Sequence, residues 1–308
     1  MTMIDRVSPH VRRCPACDCT EWERFHSYGN FVLVRCATCT LVTLETAPAS
    51  DKGVLAEYDE GYYSYTDLAT YLSGQASMLQ RTRYSILRSV LDAHVSQARW
   101  RRVVLSLFLR KWGELPRKRG EMLLDVGCGD GLFLYFLQEK GWHVLGVEPG
   151  LSRSAARGNL PITIFTGYLR DANLASDSFD VLRFHHSLEH MLDPLAELRE
   201  ARRILKPGGL LTITVPNIES LPARILGRHW SNLNLPQHIW HFRPYTITKL
   251  LERVGFQDIK VHRVASWTPL KFDSRGGLKL PLTLVSLILG VFFEMFGVGD
   301  WLSVRAVK

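Results

Sequence analysis

Two short histidine-rich segments carry side chains suited to proton transfer. The first, at residues 185–190, reads His-His-Ser-Leu-Glu-His, and the second, at residues 236–242, reads Pro-Gln-His-Ile-Trp-His-Phe. Histidine changes its charge close to neutral pH, so it can take a proton from a hydroxyl or an amine. The candidate catalytic residues in these segments are Glu189, His190, His238 and His241.

Two Cys-x-x-Cys pairs form a second chemical signature. Cys14 and Cys17 make the first pair, and Cys36 and Cys39 make the second after 18 intervening residues. Four thiolates at this spacing match a structural zinc site with tetrahedral geometry and no open position. A segment of about 30 residues cannot bury enough core to fold unaided, so the metal would supply its folding energy. Cys19 either replaces Cys17 as a ligand or takes no part.

A glycine-rich loop indicates a nucleotide site. Residues 122–126 predict a buried strand, residues 127–131 read Gly-Cys-Gly-Asp-Gly, and a helix is predicted at 131–140. Glycines let the backbone turn tightly and let a nucleotide approach the loop. The next predicted strand, 143–147, is followed by Glu148, whose carboxylate can accept both ribose hydroxyls of an adenosyl group.

The elements that must position these residues follow an alternating pattern from residue 121 onward. Apolar runs alternate with helical stretches, which indicates an α/β fold with a parallel sheet and ligands at the carboxyl ends of its strands. Strands are predicted at 122–126, 143–147, 162–165, 179–184, 210–215, 257–264 and 301–307, and helices at 131–140, 151–157, 194–205 and 246–254. The expected domains are a zinc ribbon at 10–45, a helical cap or linker at 46–119 and the α/β domain at 120–308.

Composition and charge narrow the class of protein. Of the 308 residues, 46% are hydrophobic and 22% charged, which excludes a disordered chain, a collagen and a disulfide-stapled miniprotein. Residues 81–119 contain eleven Arg and Lys but only two acidic residues, Asp92 and Glu114, so this segment accounts for the net charge of +8. This basic segment suits an anionic membrane surface or phosphates, or it is an ordinary helix with solvated arginines.

The remaining features concern compartment and membrane contact. The N-terminal residues contain no apolar signal core, and the clustered cysteines suit metal rather than disulfides, so we expect a cytoplasmic protein. The apolar segment at 280–293 is too short to cross a bilayer. It would dip into one leaflet at the inner face of the membrane, cover an apolar acceptor as a lid, or pack against the sheet or a dimer interface.

Residues 125–131 (Asp-Val-Gly-Cys-Gly-Asp-Gly) and 146–149 (Gly-Val-Glu-Pro) resemble motifs I and II of class I S-adenosylmethionine-dependent methyltransferases. Residues 178–182 resemble the fourth strand of that family, and 205–211 resemble the turn into its fifth. The ribbon followed by the tyrosine-rich segment 57–63 is similar to zinc-ribbon methyltransferases of glycan and secondary-metabolite pathways. The resemblance implies a Rossmann-like sheet of seven strands, six of them parallel and the last antiparallel.

The resemblance also implies S-adenosylmethionine as the cofactor and a place for each of its parts. We expect the amino-acid end of the cofactor to contact Asp125, Gly127 and Gly129, and its ribose to contact Glu148. We expect the adenine to lie between Tyr168 and Leu169, and the sulfonium to lie beside His185 and His186.

Glu189 and His190, with the distant His238, resemble a divalent-metal site of some class I methyltransferases. Those relatives carry a Glu where this chain has His186, a difference that favours a softer ion. A histidine general base and a bound divalent ion are therefore alternative mechanisms for activating the acceptor.

Three functions follow from these features. The first is methylation, on oxygen, of a small-molecule, sugar or lipid-linked saccharide acceptor. The second is an RNA methyltransferase whose ribbon and basic segment bind phosphate, although Arg-Phe-His-His at 183–186 lacks the Asn/Asp-Pro-Pro-Tyr signature of many nucleic-acid enzymes. The third is a non-catalytic adaptor that holds S-adenosylmethionine as a ligand.

Overall fold

The structure of the protein, a computed structural model, describes residues 11–48, 50, 71–78, 80–81, 84–85, 88, 120–150, 161–265 and 298–308. The helix predicted at 151–157, the apolar segment 280–293 and nearly all of the basic segment 81–119 lie outside the described residues. None of the described helices combines the length and the apolar character needed to cross a membrane.

The described residues include eleven strands and four α-helices. The strands are β1 (Trp22–Tyr28), β2 (Phe31–Cys36), β3 (Val42–Leu44), β4 (Met122–Val126), β5 (His143–Val147), β6 (Ile164–Phe165), β7 (Phe179–His185), β8 (Leu205–Pro216), β9 (Trp240–His241), β10 (Gln257–Val264) and β11 (Trp301–Val307). The helices are α1 (Leu132–Glu139), α2 (Pro194–Ile204), α3 (Leu221–Leu226) and α4 (Pro244–Val254). Short 3₁₀ turns occupy Leu169–Asp171, Leu188–His190 and Gly227–His229.

Seven strands form the larger sheet, in the order β10-β11-β8-β7-β4-β5-β6. Strand β11 runs antiparallel to both of its neighbours, β8 and β10, and the other neighbouring strands pair in parallel. This topology confirms the predicted Rossmann-like sheet of six parallel strands and one antiparallel strand. The strand order reverses between β4 and β7, which opens a crevice at their carboxyl ends where ligands bind in such sheets.

The central strands pack apolar side chains on both faces of the sheet, which explains why most of their residues are apolar. Leu123 and Val181 point into a core cluster shared with α1, whereas Leu124 and Leu182 point into a second cluster shared with α2 and α4. A strand covered on both faces is therefore apolar at most of its positions. Helix α2 begins where the carboxylate of Asp193 accepts the backbone N–H of Ala196 at 3.0 Å, a typical N-cap.

The observed elements differ from the predicted ones mainly in the bounds of two strands and in two additional elements. The strand predicted at 162–165 is limited to Ile164–Phe165, and the strand predicted at 210–215 extends over Leu205–Pro216. Helix α3 and strand β9 have no predicted counterpart. β9 is only two residues long, and a strand that short has no periodicity from which to predict it.

The N-terminal segment builds a second sheet, in the order β1-β2-β3-β9. Its last strand comes from the far end of the chain, because Trp240 and His241 pair antiparallel with Thr43 and Val42. Arg253 in α4 donates to the carbonyl oxygens of Cys14 and Pro15, each at 2.9 Å. The cysteine segment and the larger sheet therefore share one hydrophobic core.

Candidate functional site

The glycine loop after β4 is packed directly against the segment that follows β7. Gly127 has a φ of +79°, and a Cβ at this position would lie 2.4 Å from the Cβ of Ser187. The hydroxyl of Ser187 donates to the carbonyl of Val126 at 2.6 Å. Only glycine meets both demands at position 127, so the loop and the histidine-rich segment stay close enough to share one ligand. Sequence reasoning did not identify Ser187.

Glu148 closes the other side of the glycine loop. One carboxylate oxygen accepts the N–H of Gly129 at 3.0 Å, and the other accepts the N–H of Gly150 at 2.9 Å. Each oxygen has a second lone pair, so the carboxylate can also accept hydroxyl groups of a ribose. The position at the carboxyl end of β5, the strand beside β4, fits the adenosyl group of S-adenosylmethionine.

Asp125 is paired with Arg183, a charged residue to which the sequence assigned no role in the site. Arg183 donates from Nη1 to Oδ2 of Asp125 at 2.8 Å, and both side chains are almost fully buried. The Arg183 guanidinium also lies 4.1 Å from the ring centroid of Phe133. Burial raises the pKa of Asp125, and the charge of Arg183 opposes that shift. The available signal was an arginine within the strand predicted at 179–184.

Tyr168 and Leu169 lie where the chain leaves β6. Leu169 is fully buried in the larger core, and the ring of Tyr168 lies 4.8 Å beneath the guanidinium of Arg170. Their contact with the adenine stays a prediction.

Three of the four predicted catalytic residues come together. The donor atoms of Glu189, His190 and His238 all lie within 4.8 Å of one another. Glu189 and His190 belong to the 3₁₀ turn after β7, and His238 comes from the segment before β9. We call these three residues the Glu-His-His cluster.

Backbone carbonyls fix the orientation of both imidazole rings. Nδ1 of His190 lies 2.9 Å from the carbonyl oxygen of Gln237, and Nδ1 of His238 lies 2.8 Å from that of Asn232. A carbonyl oxygen only accepts, so each Nδ1 carries the proton and each Nε2 carries the lone pair. Burial lowers the pKa of His190 and lowers that of His238 well below 6.5.

Glu189 supplies a buried negative charge to the cluster. It is fully buried, and its Oε1 lies 3.3 Å from Nδ1 of His186. Its Oε2 has no hydrogen-bond partner among the described residues. His186 itself has a φ of +54° and packs edge-on against Trp301, with ring centroids 4.3 Å apart. The cluster can therefore accept a proton or hold a cation.

His241 lies outside the group of donor atoms formed by the cluster. It is 1% exposed in β9, and neither ring nitrogen has a hydrogen-bond partner in the described part of the chain. Burial lowers its pKa from 6.5 to about 4.

This depressed pKa predicts acid sensitivity. The unfolded chain takes up a proton at His241 below pH 6.5, whereas the folded chain takes it up only near pH 4. The neutral, buried His241 therefore contributes to the free energy of unfolding above pH 6.5. This contribution is lost as the pH falls towards 4. Between about pH 7.5 and about pH 4.5, we expect wild type to lose roughly 2–3 kcal/mol more than His241→Phe. Urea titrations at both pH values measure this difference, and parallel losses in the two proteins would contradict it.

The four cysteines of the two Cys-x-x-Cys pairs also come together. The Sγ atoms of Cys14 and Cys39 are 3.4 Å apart, those of Cys17 and Cys36 are 3.5 Å apart, and all four lie within 4.8 Å of one another. A tetrahedron with Zn–S bonds of about 2.3 Å places its sulfurs about 3.8 Å apart, so the group fits zinc. Cys19 lies outside the group, and its sulfur accepts the N–H of Glu21 at 3.3 Å.

Comparison with known proteins places the chain among enzymes. A family model described as methyltransferase domain matches residues 93–261, more than half of the 308 residues. The ubiquinone biosynthesis O-methyltransferase of Cereibacter sphaeroides (strain ATCC 17025 / ATH 2.4.3) is 30% identical over 166 residues, covering 49% of this chain and 67% of that protein. The protein of the same name from Hahella chejuensis (strain KCTC 2396) is 32% identical over 145 residues, covering 43% and 59%.

The chain thus matches about two-thirds or less of the length of these relatives. Among solved structures, it is similar to an S-adenosylmethionine-dependent methyltransferase of Thermotoga maritima, described as a possible histamine N-methyltransferase. That similarity has a TM-score of 0.47 and 22% identity, covering 66% of this chain and 89% of the other, and it bears on neither acceptor nor mechanism. From the family model and the curated relatives, the chain belongs to the methyltransferase-domain family and is an S-adenosylmethionine-dependent methyltransferase.

Proposed function

We propose that this enzyme methylates a hydroxyl oxygen of a small-molecule acceptor and that the Glu-His-His cluster takes up the proton. The observation that carries the proposal is the cluster itself, two oriented imidazoles and a buried carboxylate, built around the turn that follows Ser187, the residue packed on Gly127. The names of the two curated relatives support oxygen as the methylated atom. A sugar or lipid-linked saccharide acceptor, and contact with the membrane surface, stay predictions from the sequence.

Methyl transfer from a sulfonium needs alignment and proton removal more than activation of the donor. The glycine loop and Glu148 would hold the cofactor, with its sulfonium facing His185 and His186. The acceptor oxygen attacks the methyl carbon, and the electron pair of the carbon–sulfur bond passes to sulfur. The hydroxyl proton passes to Nε2 of a cluster histidine.

His190 is the better proton acceptor of the two cluster histidines. Burial lowers the pKa of His190, but the adjacent carboxylate of Glu189 acts in the opposite direction, since it stabilises the protonated ring. The pKa of His238 is lowered further, by burial and then by the neighbouring His190. We therefore assign proton uptake to His190 and assign His238 to orienting the acceptor hydroxyl through its neutral Nε2.

The same three side chains also fit a divalent ion. Glu189, His190 and His238 would hold it, and imidazole ligands favour zinc-like ions over magnesium. Such an ion would lower the pKa of the acceptor hydroxyl.

We assign a structural zinc to the four cysteines of the ribbon, because their sulfurs surround one point and leave no open position. Metal analysis of the purified protein tests both assignments. We expect one zinc per chain, lost on Cys36→Ser. A second equivalent of metal that is lost in Glu189→Gln would show that the Glu-His-His cluster binds a metal and would contradict its assignment to proton uptake. Absence of zinc would overturn the assignment of the four cysteines.

Replacing Glu148 tests the cofactor site. Glu148→Gln should weaken binding of S-adenosylhomocysteine roughly 10- to 100-fold, because hydrogen bonds to a charged acceptor contribute about 1.5–3 kcal/mol each. Calorimetry with a 2′,3′-dideoxy analogue is the matched control. The analogue should lose less affinity than S-adenosylhomocysteine in Glu148→Gln, because both ligands share the loss of one loop N–H contact but only the natural ligand loses the ribose contacts. An equal loss of affinity for both ligands would contradict the ribose assignment.

A further inference from the structure

Ile239 joins the Glu-His-His cluster to the cysteine segment through its backbone. Its N–H donates to the carbonyl of Glu189 at 2.9 Å. Its carbonyl accepts two hydrogen bonds from β3, one from the N–H of Leu44 at 3.1 Å and one from the hydroxyl of Thr43 at 3.1 Å. The peptide units on either side of Ile239, which directly follows His238, are therefore fixed by Glu189 on one side and by β3 on the other.

Thr43 makes this contact from a fully buried position. It pairs with Trp240, whose indole N–H donates to the carbonyl of Met191 at 2.8 Å. The segment that carries His238 and the turn that carries Glu189 are thus held together by buried hydrogen bonds. Such bonds are stronger in a low-dielectric interior than at the surface, and they restrict the backbone accordingly.

The second Cys-x-x-Cys pair sets the position of β3. The N–H of Cys36 donates to the carbonyl of Leu41 at 2.9 Å, so the chain turns back immediately after Cys39 and enters β3. Cys36, Cys39 and Leu41 are buried in the same core cluster as Ile239 and Trp240. The ribbon thus ends in the strand that contacts the segment after His238.

We propose that Thr43 is a positioning residue for methyl transfer: its hydroxyl holds the Ile239 carbonyl and thereby fixes His238 relative to Glu189. This inference rests on the proposed function, since it assumes that the cluster handles the acceptor proton. The cysteine segment would then contribute to catalysis as well as to folding, because two residues of its strand β3 hydrogen-bond the carbonyl of Ile239, next to His238. Positioning at this scale affects rate strongly, because small displacements of a catalytic group slow a reaction by large factors.

Thr43→Val tests the proposal, because it removes the hydroxyl and keeps the shape. Thr43→Ser keeps the hydroxyl, and Thr212→Val is the matched control, since Thr212 is a buried threonine in β8 whose hydroxyl has no hydrogen-bond partner among the described residues. We expect Thr43→Val to lower kcat roughly tenfold with an unchanged Kd for S-adenosylhomocysteine. Thr43→Ser and Thr212→Val should stay within about twofold of wild type.

Amide hydrogen exchange read by mass spectrometry gives the second readout, which needs no acceptor. In Thr43→Val, exchange should accelerate in peptides covering 238–241, and peptides covering 122–128 should be unaffected. Unchanged exchange at 238–241 would overturn the contact, and faster exchange with unchanged kcat would overturn the positioning role. Absence of methyl transfer by wild type would instead contradict the proposed function, while the exchange result would still decide whether Thr43 holds this segment.

Discussion

Replacing Arg183 by methionine should lower the free energy of unfolding by about 3–5 kcal/mol. The guanidinium lies 2.8 Å from the carboxylate of Asp125, and both side chains are almost fully buried. Removing the cation leaves a carboxylate in the interior without its charge partner, and such a group must stay ionised at high cost or take up a proton. Since Asp125 lies two residues before Gly127, the first residue of the glycine loop, cofactor binding should weaken as well.

Urea unfolding of three variants measures this effect. The double variant with Asp125→Leu and Arg183→Met should recover most of the loss, because an apolar pair of similar size replaces a buried ion pair at little cost. Lys206→Met is the matched control, because Lys206 also forms an ion pair, with Asp180, but the Lys206 side chain is 41% exposed and that of Asp180 is 27% exposed. It should cost no more than about 1 kcal/mol. Equal losses for Arg183→Met and Lys206→Met would contradict the argument.

Replacing His190 by asparagine should lower kcat by about 10²- to 10⁴-fold, the usual contribution of a positioned general base. Asparagine keeps a donor near the Nδ1 position, where the carbonyl of Gln237 accepts at 2.9 Å, and removes the Nε2 lone pair. Because the change lies on the acceptor side, the affinity for S-adenosylhomocysteine should not change.

His241→Phe is the control for His190→Asn. Both residues are histidines of the two segments singled out by sequence, but His241 lies outside the group of donor atoms. We expect its replacement to change kcat less than threefold or so. The comparison needs steady-state rates and calorimetry on both variants. Full activity of His190→Asn, or an equal loss in His241→Phe, would contradict the assignment of proton uptake to His190.

The central strands of the larger sheet were predictable because they are covered on both faces. Mostly apolar runs such as 122–126 and 179–184 identify buried parallel strands, and the glycine loop identifies the first crossover. The two-residue strand β9 was not predictable. It exists because Trp240 and His241 pair with a strand almost 200 residues earlier, at Thr43 and Val42, and no local pattern encodes that contact.

The sequence predicted which residues belong to the candidate site, but it did not predict which of them contact one another. Carboxyl ends of neighbouring strands meet at one edge, so the sequence placed the histidine-rich segments near the glycine loop. The separation of His241 from His238 depends on which residues β9 pairs with, which sequence does not show. The Asp125–Arg183 ion pair could be predicted only from the register of β4 against β7, in which these two residues are direct neighbours.

We propose that the enzyme transfers the methyl group of S-adenosylmethionine to an oxygen atom. The most direct test incubates the purified protein with ¹³C-methyl S-adenosylmethionine and a cell extract, then separates lipid, RNA, protein and small-molecule fractions. The carbon chemical shift of the transferred methyl group distinguishes oxygen, nitrogen and carbon attachment. We predict an O-methyl product in the small-molecule fraction that His190→Asn does not form. A labelled N-methyl or C-methyl product, or label in RNA alone, would contradict the account.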